Sequence, residues 1–313
     1  MTVTMSFLHY FFYKILAALV RTAVSLRRGF RPLRTTPDAT IRIPSRELPR
    51  TIKAHIYRSA STGPSPVLVN FHGSGFVIPM HGSDEEYCRL ISRQTAYTVV
   101  DVQYRLAPEH PFPAAYHDAE DALRWVFQQR QQFDRSRVAV SGFSAGGNLA
   151  LGISSLSPAT WAGDEDEKEK APRIHATVAF YPVVDLATSP GVKVAPDPRG
   201  RPLPKWLMRF FDRCYLRAPF DTRDPRISPF YAEAQGFPGR VLIVTAAGDS
   251  LAEEAEALGR KIRERVDEGE RESRVVVQRM QGCNHGWDKE AGPGSVGEDA
   301  KDKAYAMAVA LLT

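Results

Sequence analysis

The chain has 313 residues, 43% hydrophobic and 25% charged, a composition that excludes disordered and fibrous classes and suits one large α/β domain. Its net charge of +5 is unevenly placed: residues 1–60 hold eleven Lys and Arg against Asp38 and Glu47, so the remainder is net acidic and no nucleic-acid-binding face is expected. Three scattered cysteines, Cys88, Cys214 and Cys283, fit free thiols in a reducing, cytoplasmic setting rather than a disulfide framework or a zinc site.

The first predicted element is an amphipathic helix over residues 7–28. Lys14, Arg21 and Arg28 fall on one stripe, with Phe7, Phe11, Ile15, Ala18 and Leu19 around the other side. The apolar run Phe7–Val20 is short for a membrane span and lacks the flanks of a secretory signal. Three readings remain: a cap that packs its apolar face on the rest of the chain, a peripheral membrane helix drawn to anionic lipid, or a span. Residues 1–45 are accordingly set apart as an N-terminal cap or membrane-associated segment.

From residue 46 to 313, strands and helices alternate as in a mostly parallel sheet flanked by helices. Strands are expected at Ile52–Tyr57, Val67–Phe71, Thr98–Val102, Val138–Val140, Ala176–Phe180, Val241–Thr245 and Val275–Gln278. Helices are expected at Glu85–Gln94, Ala114–Gln131, Gly146–Ser155, Leu251–Val266 and Ala300–Leu312. The charged run Asp164–Lys170 reads as a solvated turn. Residues 186–236 are rich in Pro and aromatics, among them Trp206, Phe210, Phe211 and Tyr215, and are too apolar and too long for a plain connection. They read as an inserted cap.

Gly142-Phe143-Ser144-Ala145-Gly146 follows a predicted strand and opens a predicted helix, which is the setting in which a serine hydroxyl is exposed on a tight turn. The five-residue pattern is weak alone, so its companions decide. His72-Gly73-Ser74-Gly75-Phe76 follows another strand, where small residues let the N–H groups of Ser74 and Gly75, with that of Ala145, point at a developing oxyanion. His285, between Gly282 and Gly286 near the C-terminus, stands last in the order nucleophile, acid, base. The remaining histidines, His55 and His81 among them, read as surface or packing residues, and His72 as a structural hydrogen-bonder. Asp249, just after the strand Val241–Thr245, is the acid that would orient the base. It could equally cap the following helix, and the two roles compete for one carboxylate. Phe76 and Phe143 are expected to line the substrate pocket.

The run Asp101 to Ala115, containing Tyr104-Arg105-Leu106-Ala107-Pro108-Glu109-His110-Pro111, joins the glycine-rich loop and the serine elbow in a pattern that resembles the hormone-sensitive-lipase-like α/β-hydrolases. The resemblance covers roughly residues 50–290. It implies an α/β-hydrolase fold and a serine carboxylesterase with Ser144 as nucleophile, Asp249 as acid and His285 as base. Ser74, Gly75 and Ala145 become the oxyanion hole, and Tyr104–Pro113 a brace behind the site. It further implies small-molecule esters of short to medium acyl chains as substrates, with no cofactor and no metal. An amidase or deacetylase would use the same triad. Plant gibberellin receptors on this scaffold have lost the histidine that this chain keeps. Ser74 departs from the usual glycine and Phe143 from the usual acidic residue of the elbow; Ser250 stands where a proline is frequent. Cys283 could be a reactive thiol beside the base or merely buried.

Overall fold

In the computed structural model, which describes residues 7–27, 33, 35–156, 173–266 and 274–313, the alternation of strand and helix resolves into one eight-stranded sheet. Its strands are β1 (Ala39–Pro44), β2 (Thr51–Tyr57), β3 (Ser65–Phe71), β4 (Thr98–Val102), β5 (Phe133–Phe143), β6 (Ile174–Phe180), β7 (Arg240–Ala246) and β8 (Arg274–Met280). They lie in the order β1-β2-β4-β3-β5-β6-β7-β8. β1–β2 and β2–β4 pair antiparallel, and every other neighbouring pair is parallel.

The helices are α1 (Phe7–Arg27), α2 (Glu85–Gln94), α3 (Ala114–Gln128), α4 (Ala145–Ser154), α5 (Lys205–Tyr215), α6 (Ala252–Val266), α7 (Trp287–Glu290) and α8 (Val296–Leu312). β3 is buried along its whole length and, because successive side chains point to opposite sides, on both faces. Val67, Val69 and Phe71 join Leu123 of α3 and Leu149 of α4 in one core. Leu68 joins Tyr87 of α2 and Leu311 of α8 in the other.

Several elements differ from the sequence expectation. β1 was not foreseen: its exposed side alternates Thr40 and Arg42 among residues rich in Pro and Thr, and it places the start of the sheet before residue 46. β5 begins at Phe133, earlier than expected, because its first half is an exposed polar stretch, Asp134 to Arg137, beyond the buried centre. α8 starts at Val296, where Ser295 accepts a hydrogen bond from the Glu298 N–H at 3.2 Å. Within 186–236 the structure has α5 and single 3-10 turns at Pro229–Tyr231 and Ala234–Gly236, with no strand among the described residues. Asp164–Lys170 lies outside the described residues.

α1 also packs differently from the simple cap. Tyr13, Leu16, Ala17 and Val20 face the core, and Tyr13 stacks on Phe210 of α5. Arg21 lies on this inner side, donating to Val77 O and Ala107 O at 2.9 Å each and pairing with Glu109 at 2.8 Å. Carbonyls and a carboxylate supply the partners that let Arg21 turn inward, whereas Phe11, Phe12, Ile15, Leu19 and Leu26 are 52–61% exposed. The expected apolar stripe of Phe11, Ile15 and Leu19 thus faces out, and a different apolar set packs on the core. No described helix is long and apolar enough to cross a membrane.

Candidate active site

The loops after β3, β5, β7 and β8 all leave the carboxyl ends of parallel strands, where open α/β sheets gather ligand-binding groups. There they converge. Ser144 sits at the β5–α4 elbow with φ +51° and ψ −114°, a conformation unusual for any residue with a Cβ. Its N–H is fixed by the Phe180 carbonyl at 2.9 Å. The elbow is this tight because Gly142 and Gly146 let backbone pass backbone: a Cβ on Gly142 would lie 2.2 Å from the Gly146 carbonyl oxygen.

His285 reaches Ser144 Oγ from Nε2 at 2.9 Å and Asp249 Oδ2 from Nδ1 at 2.7 Å. Asp249 is almost completely buried. Its two oxygens divide the competing roles: Oδ2 meets the imidazole, and Oδ1 accepts the Leu251 N–H at 3.1 Å. The loop carrying His285 is held to the loop carrying Asp249 by main-chain bonds from Ala247 N to Met280 O and from Gly248 N to Cys283 O. Tyr181 packs edge-on against the His285 ring, 4.8 Å between centroids.

Ser74 and Gly75 line the same cavity as Ser144, which Ala145 directly follows, and the N–H groups of Ser74, Gly75 and Ala145 make no backbone hydrogen bond among the described residues. Gly75 has φ +55° and lies so close to Phe211 of α5 that a Cβ would fall 2.6 Å from the ring. The hydroxyl of Ser74 is committed elsewhere. It accepts from Phe76 N at 2.8 Å and meets Tyr104 Oη at 2.7 Å, while Tyr104 donates to the His72 carbonyl at 2.6 Å. Ser74 therefore gives the turn an internal tie to the Tyr104–Pro113 run. His72 stacks on Tyr104, and burial pushes its imidazole down to about 4.

A cavity of about 670 Å³ opens over Ser144 and His285. Phe76 is on its wall, stacked on Tyr215, and Val24 of α1 and Met208 and Phe211 of α5 close it from above. Phe143 is not on this wall, which corrects the expectation. It is fully buried on the other face of the sheet, stacked on Phe180 at 4.5 Å and edge-on to Tyr87.

Sequence reasoning missed the polar support behind the elbow. Asp288 accepts from Tyr181 Oη at 2.6 Å and Tyr305 Oη at 2.8 Å, and the partly buried Lys289 Nζ bridges Asp84 and Asp288 at 2.9 Å each, over the Phe143 ring. Burial opposes the Lys289 charge, but Asp288 and Asp84 more than offset it and raise the ammonium above its usual range. Cys283 is buried, which pushes its thiol up and removes the reactive-thiolate reading.

Asp212 is a half-buried carboxyl on the cavity wall. Burial raises it to about 6 against the opposing pull of Lys193. Because its folded value lies above the unfolded one, this group lowers stability progressively as pH rises from about 4 to about 6, and the penalty persists above that. Asp212→Asn is therefore expected to stabilise the fold at pH 8 by on the order of 1–2 kcal/mol and to change nothing at pH 3.5. Thermal melts of both proteins at the two pH values check it.

A family model for the alpha/beta hydrolase fold matches residues 68–289, a span that holds Ser74, Ser144, Asp249 and His285. The chain belongs to this family. Its motifs place it in the hormone-sensitive-lipase-like branch. Among relatives, the carboxylic ester hydrolase LipN of Mycobacterium tuberculosis is 34% identical over 230 residues, covering 72% of this chain and 58% of LipN. The ethyl acetate hydrolase of Pseudomonas putida is 30% identical over 68% of this chain and 65% of its own length. This chain thus spans less than two thirds of both proteins. The thermophilic carboxylesterase EstE1, cloned from a metagenomic library, matches in structure with a TM-score of 0.75 and 32% identity, covering 96% of this chain and 98% of its own. A Pyrobaculum calidifontis esterase gives a TM-score of 0.71 at 29% identity, over 95% and 94%.

Proposed function

We propose that this protein is a serine hydrolase that cleaves carboxylic esters of small molecules through an acyl-enzyme on Ser144. One observation carries the assignment of roles: the unbroken line Ser144–His285–Asp249, at 2.9 and 2.7 Å, opening onto a cavity that Ser74 and Gly75 also line. The reaction class is that of relatives named carboxylic ester hydrolase and carboxylesterase.

His285 Nε2 takes the proton of Ser144 Oγ as that oxygen bonds to the ester carbonyl carbon. The N–H groups of Ser74, Gly75 and Ala145 hold the oxyanion, and the buried Asp249 carboxylate stabilises the imidazolium. His285 then returns the proton to the departing alkoxide. A water, deprotonated by the same nitrogen, attacks the acyl carbon and releases the acid and free Ser144 Oγ–H. A cavity of about 670 Å³ is of the size that holds one small molecule, and α1 and residues 186–236 act as its cap. Turnover of p-nitrophenyl esters is expected to be greatest for acetate to octanoate and to fall for laurate, with p-nitroanilides turned over more slowly. Absence of turnover by folded protein at every length would refute ester hydrolysis, and faster anilide cleavage would favour the amidase reading.

A second reading concerns location. The outward stripe of Phe11, Phe12, Ile15, Leu19 and Leu26, within a segment carrying the basic excess of residues 1–60, supports peripheral docking of α1 on an anionic lipid surface. The full chain is expected to co-sediment with phosphatidylcholine vesicles containing phosphatidylglycerol. The triple variant Phe11→Ser, Ile15→Ser, Leu19→Ser should bind at least about tenfold more weakly. Equal sedimentation of the two proteins would rule the docking out.

A further inference from the structure

Beyond the triad, the chain places two histidines and an aspartate together where the hydrolytic reaction does not use them. The antiparallel register of β2 and β4 sets His55 opposite Asp101. His81, in the segment between Phe76 and α2, folds over this pair. Its Nε2 lies 3.3 Å from Asp101 Oδ2 and 3.1 Å from the Asp101 carbonyl oxygen, and its ring centroid is 4.2 Å from that of His55. One ligand atom from each residue falls within 4.8 Å of the others.

The cluster is short of partners. Asp101 is fully buried and His55 is 5% exposed, yet among the described residues His55 Nδ1 has no hydrogen-bond partner, and Asp101 Oδ2 has only His81 Nε2 at 3.3 Å, outside hydrogen-bond geometry. Buried polar atoms in native folds are nearly always satisfied, so these two under-satisfied atoms beside His81 call for a partner. The other carboxylate oxygen is already fixed. Asn70 Nδ2 donates to Asp101 Oδ1 at 2.9 Å and to Asp84 Oδ2 at 3.0 Å, and Asn70 Oδ1 accepts from Ser141 Oγ at 2.8 Å. This is how an outer shell orients a carboxylate so that its free oxygen meets a cation.

Imidazole nitrogens and a carboxylate oxygen are all donors to a cation, and here they are gathered around a fully buried carboxyl group.

We propose that His55, His81 and Asp101 bind one divalent transition-metal ion of the zinc class, which clamps the segment after the oxyanion turn onto β2 and β4. Two imidazoles and one carboxylate suit zinc in type and number, with a fourth position left to water. The His81 side chain, slightly exposed, gives the ion a route in. Its reach toward the active site is indirect. The His72 ring is 6.0 Å from His81, and His72 opens the turn that carries Ser74 and Gly75. The ion would hold that turn's far end and touch no substrate.

The test uses the full chain stripped of metal by chelator and then given zinc or cobalt(II). After gel filtration, elemental analysis is expected to find about one zinc per chain, and the cobalt form to show the visible d–d bands of a four-coordinate site. Ser144→Ala should bind as wild type does, whereas His81→Ala and Asp101→Asn should lose the stoichiometric ion. Zinc should raise the unfolding temperature of wild type and leave that of His81→Ala unmoved. Metal content of wild type no higher than that of folded His81→Ala, or a cobalt spectrum of the free hexaaqua ion only, would overturn the proposal. If His81→Ala does not fold, the wild-type cobalt spectrum decides by itself. None of these readouts depends on turnover, so the metal site and the esterase reading can fail separately.

Discussion

Ser144→Ala is expected to lower kcat toward p-nitrophenyl acetate by about 10⁵- to 10⁶-fold while leaving KM within a few-fold of wild type. The size follows from what is removed. Alanine takes away the atom that forms the acyl bond, so any residual rate comes from the oxyanion donors acting on water, roughly 7–8 kcal/mol short of the full barrier reduction. Binding suffers little because the cavity wall, formed by Phe76, Met208 and Phe211, is untouched. The elbow keeps a Cβ at φ +51°, so the fold keeps its strain and its melting temperature. His285→Ala should cost about as much, and the double variant scarcely more, since the two residues act as one unit. Asp249→Asn should cost less, about 10⁴-fold: Oδ1 still accepts the Leu251 N–H, but an amide no longer fixes the tautomer of His285 or balances the imidazolium. Steady-state kinetics on the four variants, with circular dichroism to confirm folding, would show it. Residual activity above about one hundredth of wild type in Ser144→Ala would move the nucleophile elsewhere.

What could be read from sequence, and what could not, divides along physical lines. The meeting of Ser144, Asp249 and His285 was legible because acyl transfer needs those residue types and each follows a strand, buried for β5 and β7 and half-buried for β8. Division of the Asp249 carboxylate between a base and a helix start was not legible, since both roles give the same local sequence. Phe143 was misplaced although a signal existed. On β5, Ala139 and Phe143 share parity and so share a face, the one packed on α2 and α8, opposite that of Val138 and Val140. α1 inverted expectation for a different reason: hydropathy alone cannot foresee that Val77, Ala107 and Glu109, far along the chain, would satisfy Arg21. Lys289 between Asp84 and Asp288, and His55 beside Asp101, depend on register and on helix docking. A single sequence carries no period or motif for either.

Gly146→Ala is expected to destabilise the fold by more than about 3 kcal/mol and to lower kcat/KM at least about 100-fold. A Cβ there would lie 1.9 Å from the Phe71 carbonyl oxygen and 2.6 Å from that of His72. Neither atom can yield by a rotamer change, because both belong to the backbone at the end of β3, where Phe71 pairs with Gly142 across the β3–β5 ladder. Relief requires α4 to move away from β3. That carries Ser144 and Ala145 with it and opens the 2.9 Å contact to His285 Nε2. Stability and chemistry should therefore fall together, in contrast to Ser144→Ala, where only chemistry falls. Gly292→Ala is the matched control: its added Cβ meets nothing within 4 Å, and its effect should stay within about 0.5 kcal/mol. Thermal melts and p-nitrophenyl acetate kinetics on both variants distinguish a packing requirement at the elbow from a general intolerance of alanine. If Gly146→Ala melted and turned over as Gly292→Ala does, close approach of β3 and α4 would not be what holds the nucleophile in place.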